Sequence, residues 1–271
     1  MNVSEAAFRF EDAAAYERFM GRWSRAAASV FLDWLAVRPG GQWLDAGCGT
    51  GILAEAVLQR CAPLSVHGID SEPAQVAAAA RGPAAGAHFQ VADARRLPFH
   101  DGAFDVVASA LLINFVPEPA LAAAEMRRVA RVGGLVAAYV WDFAQERSPS
   151  GPLRSAMKRL GLPVPAIPGT QGTSLDALHS LFHTAGLERI ETRTITVCLA
   201  YRDFQDFWEA QTPGYAPTTK ILAALKDSER SRLMRALESS LPSGPRGLIE
   251  YCATAHAIKG CRAASAGSSL A

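Results

Sequence analysis

Residues 42–51 read Gln-Trp-Leu-Asp-Ala-Gly-Cys-Gly-Thr-Gly, an apolar segment that ends in a carboxylate and continues with a glycine at every second position. Glycine accepts positive φ angles and lets the main chain approach a ligand where any Cβ would intervene. The pattern predicts a strand that turns abruptly into a helix and leaves its backbone open to a ligand. Asp45 would repel a pyrophosphate at the helix N-terminus, so a cationic ligand is favoured.

A second carboxylate is expected beside the first. After Gly51 the chain shows a helical run over residues 52–60 and then an apolar strand over residues 64–69, which ends in Asp70. Asp70 follows the glycines by about twenty residues, the distance expected of an acid that reaches ribose hydroxyls. The sequence therefore predicts two acids that flank one nucleoside-sized slot.

Strands and helices alternate from residue 42 to residue 141, with short links and apolar strands, which predicts a parallel sheet covered by helices on both faces. Two excursions interrupt this order at about residues 142–173 and 202–245. The remaining predicted elements are a helix over residues 174–185, a strand over residues 187–199 and a terminal strand over residues 248–259. Both excursions leave from the carboxyl ends of sheet elements, so we expect them to cover the crevice where open α/β sheets bind ligands.

Further motifs follow the glycine loop in a fixed order. They are VADARRLPF at residues 91–99, FDVV at residues 104–107, EMRRV at residues 125–129 and Gly133-Gly134. Together with Asp70 and the loop, they make the chain resemble class I S-adenosylmethionine-dependent methyltransferases, in the branch similar to the ubiquinone/menaquinone-biosynthesis and small-molecule methyltransferases. The resemblance covers about residues 40–141 and departs from the family at Val132, where proline is usual.

The resemblance implies a fold and a reaction. The fold is α/β, a Rossmann-like doubly wound sheet of seven strands, with the last strand antiparallel beside the fifth and with helical lid insertions. A single methyltransferase domain would span residues 1–259, and residues 260–271 would form a disordered tail. The cofactor would be S-adenosylmethionine, and its methyl group would pass in line to an O, N or C nucleophile of a small-molecule acceptor.

The resemblance also assigns residues to the cofactor. Those implied are Asp45 with the backbone at Gly47 and Gly49 for the methionine end, Asp70 for the ribose hydroxyls, Asp93 with the Ala94 amide for the adenine, Ser71 and Leu111 as lining of the slot, and Tyr16 and Arg22 as closure from the N-terminal helices. Arg22 would pair with the cofactor carboxylate. A solvated arginine and a half-buried tyrosine on an amphipathic helix are the alternative for the last two residues.

Methyl transfer requires no nucleophilic side chain and no metal, because the sulfonium already activates the carbon and the protein has to place the acceptor and exclude water. The one candidate general base is Asp142, at the end of the fifth strand, and a turn-initiating aspartate is the competing interpretation. No metal site is predicted. His179 and His183 stand four apart on one predicted helix but lack a third ligand, so they are interpreted as surface or core histidines.

The second excursion contains an aromatic cluster, namely Phe204, Phe207, Trp208 and Tyr215. These side chains would either stack on a flat or apolar acceptor or pack the lid against the sheet. The sequence leaves both interpretations open.

Apolar content, net charge and cysteine count restrict the kinds of protein that this chain can be. Half of the 271 residues are apolar (49%), which provides a substantial core. The net charge of +1, without a basic stripe, argues against a nucleic-acid or membrane partner. Five cysteines without a Cys-x-x-Cys motif predict reduced thiols, and the absence of a signal peptide or of about twenty consecutive apolar residues predicts a cytoplasmic protein.

Three other functions predict different features. A nicotinamide-dependent oxidoreductase predicts a Gly-x-Gly-x-x-Gly loop without a leading acid, which Asp45 and Gly51 contradict. A non-catalytic S-adenosylmethionine-binding module predicts binding without turnover. Methylation of RNA or protein predicts a basic or grooved face, for which the sequence shows no charge run.

Overall fold

A seven-stranded sheet forms the centre of the described protein. The computed structural model describes residues 16–214, 216–242, 244 and 247–264. The strands within them are β1 (Gln42–Ala46), β2 (Ser65–Asp70), β3 (His88–Val91), β4 (Phe104–Ala110), β5 (Ala130–Trp141), β6 (Leu187–Tyr201) and β7 (Ile249–Arg262). Their order is β3-β2-β1-β4-β5-β7-β6, with β7 antiparallel to both neighbours and parallel pairs from β1 to β5. The predicted Rossmann-like sheet is confirmed.

Helices connect these strands. They are α1 (Arg22–Leu35), which continues a π-helical turn (Glu17–Gly21), α2 (Ile52–Arg60), α3 (Pro73–Arg81), α4 (Pro119–Val129), α5 (Gly151–Arg159), α6 (Leu175–Thr184), α7 (Phe204–Gln211), α8 (Pro217–Ala223) and α9 (Asp227–Glu238). The first excursion contains α5, and the second contains α7, α8 and α9. Within the described ranges, no helix is long and apolar enough to cross a membrane.

Each face of the sheet has its own hydrophobic core, because successive side chains of a strand point to opposite faces. Trp43 packs in a core that also contains Leu53 of α2, whereas its neighbour Leu44 packs in a second core that contains Met126 of α4. Side chains from both excursions, Leu153 and Leu233, join the first core. The excursions therefore pack on the side of the sheet that carries Trp43.

The bounds predicted for the elements between residues 52 and 69 and between residues 174 and 199 agree with the structure to within two residues. Ser174 accepts a hydrogen bond from the Ala177 amide at 3.2 Å and caps α6. β5 begins at Ala130, which pairs with Phe104 before the register between the two strands shifts. Such an irregularity adds residues to one strand and breaks the regular alternation of its side chains at that point.

Three residues of the predicted tail, 260–262, belong to the sheet. Gly260 pairs with Val136 within the sheet, and the Arg262 guanidinium donates to the Ala130 carbonyl at 2.8 Å. Residues 260–262 are therefore part of β7, because their backbone and side chains bond to the neighbouring strand. Residues 265–271 of the predicted tail lie outside the described residues.

The cysteine prediction was wrong for one pair. Cys198 and Cys252 face each other across β6 and β7 and form a disulfide. Their Cα atoms are 4.0 Å apart, as suits directly opposed residues of an antiparallel pair. The sequence could not indicate this pairing, because the two residues are 54 positions apart and meet only through strand register. Cys48, Cys61 and Cys261 are free thiols.

The second core should be sensitive to a truncation in α4. We expect Met126→Ala to lower the free energy of unfolding by about 2–5 kcal/mol, because Met126 is fully buried and its loss leaves a cavity. Urea denaturation measures the change. Leu121→Ala on the same helix is the matched control; Leu121 is 48% exposed, so its change should stay within about 0.5 kcal/mol. Equal effects of the two substitutions would contradict the packing described.

Candidate active site

A cavity of about 500 Å³ opens at the carboxyl ends of β1, β2, β4 and β5. Ligands bind at this edge of open α/β sheets. Eight of the ten residues predicted for the cofactor lie in its wall, and they are Tyr16, Gly47, Gly49, Asp70, Ser71, Asp93, Ala94 and Leu111. The other two, Asp45 and Arg22, lie outside the wall. The structure thus brings together segments that are up to 95 positions apart.

The loop after β1 forms a backbone cradle. Gly47 has a φ of +79°, and a Cβ on it would lie 2.8 Å from the Leu112 side chain. Only glycine fits there without displacement. The amides of Gly47 and Cys48 both donate to the Ile69 carbonyl at 2.8 Å, which ties the loop to the end of β2.

Asp70 completes this connection. One carboxylate oxygen accepts from the Gly49 amide at 2.9 Å, and the other accepts from the Glu72 amide at 2.9 Å. Burial raises the pKa of Asp70, and these two amides oppose the shift. Each oxygen keeps a second lone pair, so the carboxylate can also accept hydrogen bonds from ligand hydroxyls in the cavity.

Asp45 is buried behind the loop rather than in the cavity wall. It is 3% exposed. Burial raises the pKa of Asp45 to about 7; a backbone hydrogen bond from Ala54 opposes the shift and the Asp70 carboxylate adds to it. Asp45 is thus a buried acid outside the cavity wall.

Tyr16 and Arg22 have different positions. Tyr16 lies in the cavity wall, and burial raises its pKa to about 12 while a hydrogen bond with Ser24 opposes the shift. Arg22 instead donates to the Ala200 carbonyl at 2.9 Å and lies over the Tyr201 ring, 5.2 Å from its centroid. The expected pairing of Arg22 with a cofactor carboxylate does not fit this geometry, because the helix turns its side chain towards β6.

Asp93 and Ala94 line the end of the cavity beyond β3. The Asp93 carboxylate pairs with the Arg95 guanidinium at 2.7 Å, and hydrogen bonds from Arg95 lower its pKa. Ala94 is buried. Leu111 lies in the wall with a φ of +60°, a left-handed conformation that is costly for a residue with a side chain and that is often found at functional sites.

Parts of this chain match known proteins in sequence and in fold. Residues 44–138 match a family model described as a methyltransferase domain. Malonyl-[acyl-carrier protein] O-methyltransferase from Serratia marcescens is 32% identical over 133 residues, which cover 49% of this chain and 48% of that protein. Phosphatidylethanolamine N-methyltransferase from Cereibacter sphaeroides is 35% identical over 125 residues, which cover 44% and 60%. A Bacillus halodurans structure, provisionally assigned as a methyltransferase, has a TM-score of 0.58 at 15% identity and covers 88% of this chain and 99% of that chain.

The matched residues and the strand order identify the same class of domain. The chain carries a class I S-adenosylmethionine-dependent methyltransferase domain. S-adenosylmethionine is the cofactor of this domain class, and the glycine cradle with its two acids fits a cationic adenosyl donor. The chain spans about half the length, or less, of the first curated relatives that it matches.

Asp142 lies outside the wall of the methyltransferase cavity. It is 1% exposed; one carboxylate oxygen accepts from the Gln145 amide at 3.0 Å, and the other lies 3.8 Å from the His256 imidazole. This geometry matches the turn-initiating interpretation of Asp142. Its neighbours Trp141 and Phe143 do line the cavity.

The aromatic cluster of the second excursion packs this excursion against the sheet. Phe207 is fully buried and contacts the Tyr201 ring edge to face, with centroids 5.0 Å apart. Phe204 and Trp208 contact each other. None of these three residues lines the cavity among the residues described, and Tyr215 lies outside them.

Two buried polar residues of the cavity wall were missed by the sequence analysis. Arg154 of α5 and Gln211 of α7 line the cavity and are 9% and 2% exposed. The available signal for Arg154 was its position among the apolar residues Leu153, Ala156 and Met157 of one helix. For Gln211 we find no such signal.

We expect Asp70→Ala to weaken S-adenosylhomocysteine binding by the methyltransferase domain by about 1.5–3 kcal/mol, because a charged hydrogen-bond acceptor is lost. Calorimetry gives the affinity. Asp33→Ala is the matched control, since the Asp33 side chain is 66% exposed and pairs with Arg60 outside the cavity. Unchanged affinity of Asp70→Ala would remove Asp70 from the site.

Asp45 should make the unliganded methyltransferase domain sensitive to pH. The folded protein retains the Asp45 proton up to about pH 7, whereas the ordinary pKa is 3.8. Its contribution to stability is therefore present at low pH and is lost as the pH rises towards 7. The stability of Asp45→Asn relative to wild type should increase from about pH 5 to pH 7, by at most about 1.4 kcal/mol per pH unit, and then level off.

Urea unfolding at a series of pH values measures this difference for Asp45. Asp33→Asn is the control, because its side chain is exposed and it should show no comparable trend. A pH-independent difference between Asp45→Asn and wild type would show that Asp45 is already ionised in the folded protein.

Proposed function

We propose that this protein transfers a methyl group from S-adenosylmethionine to an O, N or C nucleophile of a small-molecule acceptor. The observation that carries the proposal is the continuity of one cavity. Its wall includes Gly47 after β1 and Asp70 at the end of β2, together with Arg154 and Gln211 of the two excursions. We assign to the acceptor the part of the wall that the excursions contribute. A donor and an acceptor can therefore share one enclosed space, as in-line displacement requires.

The bound cofactor would supply a methyl group activated by its sulfonium. The chain would supply charge and position. The carboxylates of Asp45 and Asp70 favour a cationic donor at the cradle, and this preference weakens once the sulfonium becomes a neutral thioether. Apolar wall residues, including Phe115, Trp141 and Phe143, exclude water from the reacting atoms.

The wall sets limits on proton transfer. The carboxylates among its described residues are Asp70, Glu72 and Asp93, all from the segments that follow β2 and β3. The acceptor side thus presents no carboxylate base among the described residues. An amine that binds neutral, or an acceptor that binds already ionised, can react without one, whereas a neutral hydroxyl would need water to remove its proton.

A small molecule is the favoured acceptor because elements of both excursions contribute to the cavity wall. Ser150 belongs to the first excursion and Thr218 to the second. The named relatives act on different acceptors, as their names state, so they support methyl transfer in general and not one acceptor atom.

Labelled S-adenosylmethionine, incubated with a metabolite extract of the host and the purified protein, tests the proposal. We expect label in a product small enough to pass a filter that retains proteins and RNA. Asp70→Ala should reduce labelling at low cofactor concentration, and Asp33→Ala should not. Label only in retained protein or RNA would overturn the small-molecule assignment. Binding of S-adenosylhomocysteine without any labelled product would instead indicate a non-catalytic binding module.

A further inference from the structure

An arginine without a counter-ion lies on the acceptor side of the cavity. Two arginines occur among the described wall residues, Arg95 and Arg154. Arg95 pairs with the carboxylates of Asp93 and Glu118 at 2.7 and 3.0 Å. Arg154 is more deeply buried, yet no carboxylate among the described residues lies within 4.0 Å of its guanidinium. A buried cation without a partner is costly, so its position in a ligand cavity indicates a charged ligand.

The one described hydrogen bond of the Arg154 guanidinium leaves most of its donors without a described partner. One terminal nitrogen donates to the Pro165 carbonyl at 2.9 Å, which holds the side chain against the loop of the first excursion. A guanidinium has five N–H donors in a planar fork. The Glu146 carboxylate interacts with Arg154 electrostatically, but it is bound by the Lys158 ammonium and by the Ser155 hydroxyl at 2.9 Å. Arg154 is therefore fixed in place without an ion pair of its own.

Gln211 of the second excursion also lines the cavity. It is 2% exposed, and neither its amide nitrogen nor its amide oxygen has a hydrogen-bond partner among the described residues. Unsatisfied buried amides are rare in folded proteins. Two segments far apart in the chain therefore each contribute a buried polar side chain, Arg154 and Gln211, to the wall of one cavity.

From these observations we propose that the acceptor is a small organic carboxylate, whose charged group binds the Arg154 guanidinium while its apolar part lies against Trp141 and Phe143. A planar guanidinium matches a carboxylate with two parallel hydrogen bonds. The single uncompensated cation suits a monoanion better than a doubly charged phosphate ester. This inference rests on the proposed function, because it names the chemical class of the acceptor.

The position of Arg154 separates it from the cofactor end. Asp70 and the glycine cradle lie at the ends of β1 and β2, whereas α5 follows β5, and β4 separates β5 from β1. Arg154 should therefore contribute little to cofactor affinity. Cofactor affinity is therefore a second readout. It should stay unchanged if Arg154 binds the acceptor, and it should fall if Arg154 binds the cofactor.

Calorimetry on the full chain saturated with S-adenosylhomocysteine tests the proposal. The probes are benzoate, 2-naphthoate and octanoate, each compared with its primary amide, which has nearly the same shape and no charge. We expect at least one carboxylate to bind about tenfold or more tightly than its amide, as charge-assisted hydrogen bonds imply. Arg154→Met should reduce this preference to about threefold or less, and Arg154→Lys should give an intermediate value because it keeps the charge but not the fork.

Arg159→Met is the matched control on the same helix, because Arg159 is exposed and lies outside the cavity wall. It should keep the wild-type preference. Affinity for S-adenosylhomocysteine should stay within about twofold in all variants, since charged contacts matter only where they are made. The proposal is overturned if no carboxylate binds more tightly than its amide, if Arg154→Met keeps the preference, or if it weakens cofactor binding instead.

Two further results bear on the proposal. Tighter binding of phenyl phosphate than of benzoate would overturn the carboxylate assignment. Should Arg154→Met fail to fold, the wild-type comparison of carboxylates with amides still decides, together with Arg154→Lys. The binding measurement does not depend on turnover. An absence of any labelled product would count against methyl transfer, whereas a carboxylate preference that is lost in Arg154→Met would still show a carboxylate site.

Discussion

The site depends on the connection between the ends of β1 and β2. The Ile69 carbonyl accepts from the amides of Gly47 and Cys48, and the Asp70 carboxylate accepts from the Gly49 amide. Hydrogen bonds to β2 thereby help to hold the loop after β1. Parallel pairing of the two strands places Asp45 and Asp70 at one edge, where the Asp70 carboxylate raises the cost of ionising Asp45. A cationic ligand relieves this cost.

The cavity is electrostatically divided. Asp70 lies in the wall near the glycine cradle with Asp45 behind it, whereas Arg154 of the first excursion has no carboxylate partner among the described residues. A donor that carries a sulfonium and an acceptor that carries a carboxylate would each bind where the protein offers the opposite charge. Water-excluding apolar surface between the two ends strengthens both preferences, because charges interact more strongly at low dielectric.

The two excursions lie outside the sheet and the glycine cradle of the domain. The sheet and the glycine cradle are shared features of the methyltransferase domain, and they account for the cofactor end. Side chains of α5 and α7 line the same cavity, so in the proposed function differences in these excursions would change the acceptor without disturbing the cradle. The disulfide between Cys198 and Cys252 joins β6 to β7 close to the start of α7, where the second excursion leaves the sheet.

The sequence by itself determined the succession of strands and helices along the chain, the cradle at Gly47 and the acids Asp45 and Asp70. Each of these features is local, because the strands are apolar segments and the three residues lie where such segments end. Only the tertiary structure decided the direction of Arg22, the exclusion of Asp142 from the cavity wall and the presence of Arg154 and Gln211 in that wall. The side of a helix that faces a cavity depends on packing between segments far apart in the chain, and apolar periodicity indicates that a face is buried without indicating what it is buried against.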